Sequence, residues 1–103
     1  MIEGFEVAVA SWLERAQAGV KAYHDRLCPN LPGRHSVLEV MRGPRYWRVV
    51  AVTDGQRSAF AFLDTKSGDV LKPAGWKGPA KHARGNVLSG PDGVSGSGAH
   101  YLR

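Results

Sequence analysis

The first part of the chain carries a helical pattern of apolar residues. Between residues 5 and 27 they recur three or four positions apart, which is the spacing of one face of an α-helix. Pro29 predicts the end of this helix, because the residue before a proline avoids the α conformation. The pattern therefore predicts one long amino-terminal helix. Its apolar face consists of Phe5, Val9, Trp12, Ala16, Val20, Tyr23 and Leu27.

After residue 35 the period changes to two, which is typical of β-strands. Strands are predicted over 36–41, 45–53 and 56–63, and Asp54-Gly55 between the last two predicts a type I′ hairpin. A two-residue loop pairs Val49 with Phe60 and Trp47 with Phe62, so we expect these four side chains to face the helix. A one-residue shift would exchange the two faces of the sheet.

These pairings predict both a core and an exposed sheet face. The predicted core consists of Phe5, Val9, Trp12, Val20, Tyr23, Trp47, Val49, Phe60 and Phe62. The other side of the hairpin pairs Arg48 with Ala61 and is expected to be a mixed surface. Its apolar and aromatic members are Tyr46, Val50, Val52 and Leu63.

The segment after the hairpin predicts a turn, a short strand and a cap. Residues 64–69 read as a turn and 70–72 as a fourth strand, while 77–84 are predicted to form one or two helical turns that end at Gly85-Asn86. The predicted fold is therefore α+β: one long amino-terminal helix packed on a three- to four-stranded antiparallel sheet, with a short basic loop-helix cap. Residues 1–88 would form a single domain, and 89–103 a flexible Gly/Ser-rich tail.

The distribution of charged residues indicates the kind of partner that the protein binds. The net charge is +5, and it is uneven: residues 1–40 hold four Lys/Arg against five Asp/Glu, whereas 41–103 hold ten against four. Such an asymmetry favours an anionic partner, most often nucleic acid. Cys28 is the only cysteine, so no internal disulfide forms and a reducing, intracellular setting is expected. No apolar run is long enough for a membrane span, and we expect no membrane partner.

Residues 72–86, a cationic stretch that contains one tryptophan, are the candidate nucleic-acid-binding segment. Lysines can pair with phosphates, and a tryptophan among them can stack on a base; alternatively, the tryptophan plugs the open end of the sheet. If the segment is helical, Lys77, Lys81 and Arg84 are spaced to share one face. The predicted binding residues are Lys72, Trp76, Lys77, Lys81 and Arg84.

Other chemistry has weaker support. His24, Cys28 and His35 invite a metal interpretation, but zinc needs a fourth ligand that the sequence does not supply. A Cys28–His35 nucleophile pair lacks an orienting acid, and a hydrolase or nuclease using His82 or His35 lacks an acid–base partner. We therefore predict that the protein is not an enzyme, and we predict no catalytic residue, no metal and no cofactor.

Two motifs in this region resemble a known group. Residues 64–70 read D-x-x-x-G-D-V, and residues 76–86 read W-K-x-P-A-K-x-x-R-G-N. With them the chain resembles small proteins encoded by tailed phages, in which both motifs follow a helix and a few strands. That group has no settled activity. The resemblance therefore implies a phage origin, the α+β architecture and a place in the host cytoplasm, but no reaction.

The expected function is that of a small basic phage accessory protein, non-enzymatic, which binds nucleic-acid phosphates through residues 72–86. The alternative is a protein-interaction or structural module that uses the exposed sheet face and the tail. It would be a virion component, or a modulator of a host enzyme with an acidic surface. The choice between DNA and RNA, sequence preference and homo-oligomerisation stay open at this point.

Overall fold

The computed structural model describes residues 1–30, 33–95 and 98–99. These residues form one helix, α1 (Phe5–Leu27), and the strands β1 (Val37–Met41), β2 (Tyr46–Thr53), β3 (Gln56–Asp64), β4 (Asp69–Pro73), β5 (Pro79–Asn86), β6 (Val94–Ser95) and β7 (Gly98–Ala99). Strands β1 to β5 form an antiparallel sheet in chain order, and β6 pairs with β7. The α+β prediction is confirmed, with five strands in the main sheet. Nowhere in these residues is a helix long and apolar enough to cross a membrane.

The predicted helix stripe packs on one face of the sheet. Its first five members are buried, and the ring of Phe5 meets that of Trp47 edge to face at 4.8 Å between centroids. Each buried side chain of this kind contributes about 1.5–3 kcal/mol, most of which chain entropy offsets. The stripe ends early: Tyr23 is half-buried with the Arg26 guanidinium over its ring, and Leu27 is exposed. Tyr23 is therefore not part of the core cluster.

The β2–β3 hairpin contains a β-bulge that the sequence did not predict. Asp54 and Gly55 both have positive φ, as the predicted turn requires, and the predicted pairing holds from Thr53–Gln56 to Val50–Ala59. It then shifts by one residue, so that Val49 pairs with Ala61. Phe60 is the extra residue on β3.

The bulge exchanges the faces of residues 61–63. Ala61 and Leu63 are fully buried in the cluster that α1 covers, whereas Phe62 belongs to the opposite side. We call that opposite side the outer face. The predicted placement of Phe62 against the helix is therefore wrong, and so is the predicted exposure of Leu63 and Val50, since Val50 is also fully buried.

Residues 79–86 form a strand, β5, and the predicted helical turns are wrong. Strand β5 pairs with β4 from Asp69–Asn86 to Pro73–Pro79. Pro79 suits the first residue of an edge strand as well as the first turn of a helix, because neither position needs its missing N–H. The cations of this segment consequently do not share a helix face.

Asn86 connects the β3–β4 turn to the end of β5. Its Nδ2 donates to the Ser67 carbonyl at 2.9 Å and to the Asp69 carboxylate at 3.1 Å. Its Oδ1 accepts from the backbone N–H groups of Leu88 and Ser89 at 2.8 and 3.1 Å. The residue predicted to stop a helix is thus a hydrogen-bonding junction between two loops.

The chain beyond β5 packs against α1 as far as it is described. The indole N–H of Trp12 donates to the Asp92 carbonyl at 2.8 Å, and Arg15 pairs with the Asp92 carboxylate at 3.0 Å. Val94 packs against the core. The predicted docking of Tyr101 and Leu102 lies outside the described residues.

Replacing Gly85 with alanine should destabilise the fold. A Cβ atom there would lie 2.2 Å from the Pro91 carbonyl oxygen and 2.6 Å from the Gly93 nitrogen, both backbone atoms. We expect Gly85→Ala to lower the unfolding free energy by about 1–3 kcal/mol, measured by urea denaturation. Gly75→Ala is the matched control, because no atom lies within 4 Å of its Cβ. Equal urea midpoints for the two variants would show that the backbone of Pro91 and Gly93 does not pack closely against Gly85.

The free edge of β1 is capped by a helix side chain. Gln17 donates from Nε2 to the Ser36 carbonyl at 3.0 Å and accepts at Oε1 from the Leu38 N–H at 2.8 Å. These are the bonds that a further strand would make to an edge. Gln17 thus satisfies backbone groups that would otherwise be open to pairing with another chain.

Gln17→Ala should therefore cost stability and promote association. Loss of both bonds should lower the unfolding free energy by about 1–3 kcal/mol, and light scattering should detect more self-association through β1. Glu14→Ala removes an exposed side chain from the same helix and serves as the control. If the two variants behave alike in both measurements, the capping role is wrong.

Candidate nucleic-acid interface

The five residues predicted from the sequence all lie on the β4–β5 hairpin. Lys72 is in β4, Lys81 and Arg84 are in β5, and Trp76 and Lys77 are in the loop between these strands. The N–H groups of residues 74 and 75 both donate to the carbonyl of residue 78, at 3.0 and 3.4 Å. The loop is therefore closed on itself, with Trp76 and Lys77 inside the closed segment.

A second irregularity shapes the hairpin at β5. Leu71 pairs with Ala83 and Pro73 with Pro79, so β5 carries more residues than β4 between these pairs. His82 lies within the excess and has a left-handed backbone, φ 48°, which is uncommon for a residue other than glycine. Its carbonyl accepts a hydrogen bond from Arg84. Bulges of this kind bend an edge strand and redirect its side chains.

The cations of the hairpin differ in exposure. Lys77 and Lys81 are exposed, and within the described part of the chain neither forms an ion pair. Lys72 and Arg84 are half-buried. Lys72 also follows Leu71, a neighbour of Phe62 on the outer face, so strand alternation directs Lys72 to the other side of the sheet. The most accessible charge is therefore on Lys77 and Lys81.

Trp76 is partly exposed and does not plug the sheet. It is 41% exposed, whereas Trp12 and Trp47 are 0% and 5% exposed. The Arg48 guanidinium carbon lies 4.6 Å from the centroid of the Trp76 ring. This cation–π contact attaches the loop to the outer face while leaving indole surface open to solvent.

Arg48 is the residue of this site that sequence reasoning missed. It is the second residue of a row across the outer face, in which successive residues are cross-strand partners: Met41, Arg48, Phe62, Leu71 and Ala83. Its guanidinium carbon is also 5.6 Å from the Phe62 ring centroid. Alternation along the predicted strand put Arg48 on the outer side, but no local signal links it to Trp76.

Carboxylates near the outer face are held by other arginines. Arg57 pairs with Glu39 at 3.1 Å and Arg45 with Asp64 at 3.1 Å. Burial of Asp64 acts to raise its pKa, but the hydrogen bonds from Arg45 and from the Lys66 N–H outweigh it, so the pKa of Asp64 lies below its ordinary value. Asp64 is therefore ionised at neutral pH and fixes the β3–β4 turn.

The three residues that were considered as metal ligands and set aside in the sequence analysis are only partly brought together. The rings of His24 and His35 lie 6.3 Å apart between centroids, near the half-buried Cys28 at the end of α1. Among the residues that the structure describes, no three His, Cys, Asp or Glu side chains are grouped as metal ligands would be.

Fold and site together define a small α+β protein with a cationic, tryptophan-bearing hairpin at the edge of its sheet. The chain belongs to a family of unknown function, DUF7717, whose model matches residues 2–95. No curated protein and no solved structure matches it significantly. The family match thus spans α1, the sheet and the start of the β6–β7 hairpin, and it carries no activity and no phage origin.

The Asp64 carboxylate makes stability depend on acid pH. Its folded pKa is below its unfolded value, about 3.9, so it stabilises the protein above that pH and loses this effect as the pH falls through the folded pKa. Urea unfolding between pH 7 and pH 2 should show this decline. Asp64→Asn should lower the unfolding free energy at pH 7 by about 1.5–3 kcal/mol and flatten the decline.

Asp54→Asn is the control for this measurement, because the Asp54 carboxylate is largely exposed and its ion pair with Arg34 is long, at 3.5 Å. It should change little. If Asp64→Asn keeps the full acid dependence of the wild type, another carboxylate is responsible for it.

Proposed function

We propose that this protein is a small, non-enzymatic nucleic-acid-binding accessory protein whose β4–β5 hairpin contacts phosphates. The observation that carries the proposal is the pair of exposed lysines, Lys77 and Lys81, which lack a carboxylate partner within the described chain. Lys77 directly follows the partly exposed Trp76. Lysine ammonium groups presented in this way neutralise phosphates and release their counterions. Lys72 and Arg84 would add charge at the sides of the hairpin.

The distribution of acids supports this location. In the described chain, six carboxylates form ion pairs with Lys or Arg. The one acid within residues 66–86 is Asp69, which accepts a hydrogen bond from Asn86. The charges of Lys77 and Lys81 are therefore not compensated by a carboxylate of the described chain, which favours the approach of a polyanion.

A phage origin is part of the same proposal. It is supported by the resemblance of residues 64–86 to small tailed-phage proteins and by the basic, single-domain character of the chain. A protein of this kind would act in the host cytoplasm, where the lone, half-buried Cys28 stays reduced.

A protein-interaction or structural module is the second candidate. Val37 and Met41 are exposed on the outer face of β1, next to the half-buried Tyr46 and Val52. Val50 and Leu63 are buried and would not contribute to such a contact. Size-exclusion chromatography with light scattering distinguishes the candidates: a stable multimer favours assembly, and a monomer that binds oligonucleotides favours the first proposal.

Charge reversal on the hairpin tests the first proposal. Binding of labelled oligonucleotides, followed by fluorescence anisotropy over a salt series, should weaken steeply with salt. The double variant Lys77→Glu, Lys81→Glu should reduce the salt slope by about two units, one for each lysine lost, and weaken binding at low salt.

The matched control is Lys21→Glu, Arg34→Glu, which makes the same change in net charge at exposed positions off the hairpin. It should bind nearly as the wild type does. Absence of binding at low salt, or equal loss in the two double variants, would contradict the proposal.

A further inference from the structure

The stack on the outer face leaves an arginine charge uncompensated. The Arg48 guanidinium carbon lies over two rings, 4.6 Å from the centroid of Trp76 and 5.6 Å from that of Phe62. Its Nη1 donates only weakly, to the Met41 sulfur at 3.7 Å, and its Nε is buried without a hydrogen-bond partner. Within the described chain it has no carboxylate partner. Contacts with aromatic rings, and not an ion pair, therefore hold this cation in place.

This stack gives Trp76 a different role from the other tryptophans. Trp12 is hydrogen-bonded inside the core, and Trp47 is buried against Phe5. Trp76 remains 41% exposed although Arg48 covers part of its ring. An indole that contacts a cation and keeps part of its surface exposed is a platform on which the flat ring of a base can stack.

We infer that the hairpin selects single-stranded nucleic acid, with an unpaired base stacking on Trp76 while Lys77 and Lys81 contact the adjoining phosphates. The inference rests on the proposed function and names its substrate class. In a duplex each base is covered by its neighbours in the stack, so its ring face cannot reach the indole. In a single strand the face is free, and stacking of this kind tolerates any base sequence.

Arg48 is a positioning residue in this arrangement. It links the loop to the sheet through the Trp76 ring, and its charge adds to the field that a strand meets on the outer face. The guanidinium also contacts the ring of Phe62, which is 2% exposed and is held in place by packing. Loss of Arg48 should therefore release the Trp76 ring as well as remove a charge.

The test compares single strands and duplexes of equal length, labelled identically, by anisotropy at two salt concentrations. The wild type should bind the single strand about tenfold more tightly. Trp76→Ala should weaken single-strand binding about tenfold, consistent with the loss of one stacked base. It should leave the salt slope and the duplex affinity unchanged, and Trp76→Phe should retain most of the affinity.

Arg48→Met tests the positioning role, with Arg48→Lys as the conservative variant. Acrylamide quenching reports on Trp76, because the other two tryptophans are buried. Arg48→Met should increase quenching in the free protein and weaken single-strand binding more than duplex binding. Arg48→Lys should restore part of both. Unchanged quenching in Arg48→Met would contradict the stack.

The outcomes separate this inference from the proposed function. Equal affinity for single strand and duplex, with Trp76→Ala changing neither, overturns the inference. In that case a salt slope that still depends on Lys77 and Lys81 leaves phosphate binding intact. Absence of binding to every oligonucleotide at low salt overturns both.

Discussion

The arrangement of this protein depends on one extra residue, Phe60, in the third strand of the sheet. Side chains alternate between the two faces of a strand, so an additional residue reverses the face of the residues beyond it. Because of the bulge, Ala61 and Leu63 close the core under α1 while Phe62 turns outward. The same shift makes Phe62 the partner of Arg48 and thereby creates the base of the outer-face stack.

The residues of the two motifs, 64–70 and 76–86, divide into two physical roles. Asp64, Gly85 and Asn86 hold the turns: Asp64 binds Arg45 and the turn backbone, Gly85 leaves room for the crossing chain, and Asn86 joins two loops. Among the described residues, the side chains of Trp76 and Lys77 make no hydrogen bond of this kind, and Trp76 contacts the sheet through the Arg48 guanidinium. Asp64, Gly85 and Asn86 are therefore explained by folding, whereas the exposed positions of the β4–β5 hairpin remain available to a ligand.

Patterns within a few residues of the sequence predicted the helix and the β2–β3 hairpin turn. They did not predict how residues far apart in the chain pair in the sheet. The long helix that ends before Pro29 and the Asp54-Gly55 turn follow from short-range patterns, and the structure confirms both. The bulge at Phe60 arises from the pairing of β2 with β3. The residue pairs that we counted outward from the Asp54-Gly55 turn are therefore wrong beyond Val50. Residues 79–86 offer no apolar alternation, and their cation spacing and Pro79 fit a helix as well as an edge strand; pairing with β4 decides the outcome. The contact between Arg48 and Trp76 joins β2 to the β4–β5 loop, a link that no spacing in the sequence indicates.

The most direct measurement of the central claim is an ¹H–¹⁵N NMR titration of the labelled protein with a short single-stranded oligonucleotide. We predict that the indole N–H of Trp76 and the backbone amides of Lys77, Lys81 and Arg48 shift first and most, while the indole N–H groups of Trp12 and Trp47 stay in place. Shifts concentrated on the exposed side of α1 or along β1, with Trp76 unmoved, would contradict a binding surface built on the outer face of this sheet.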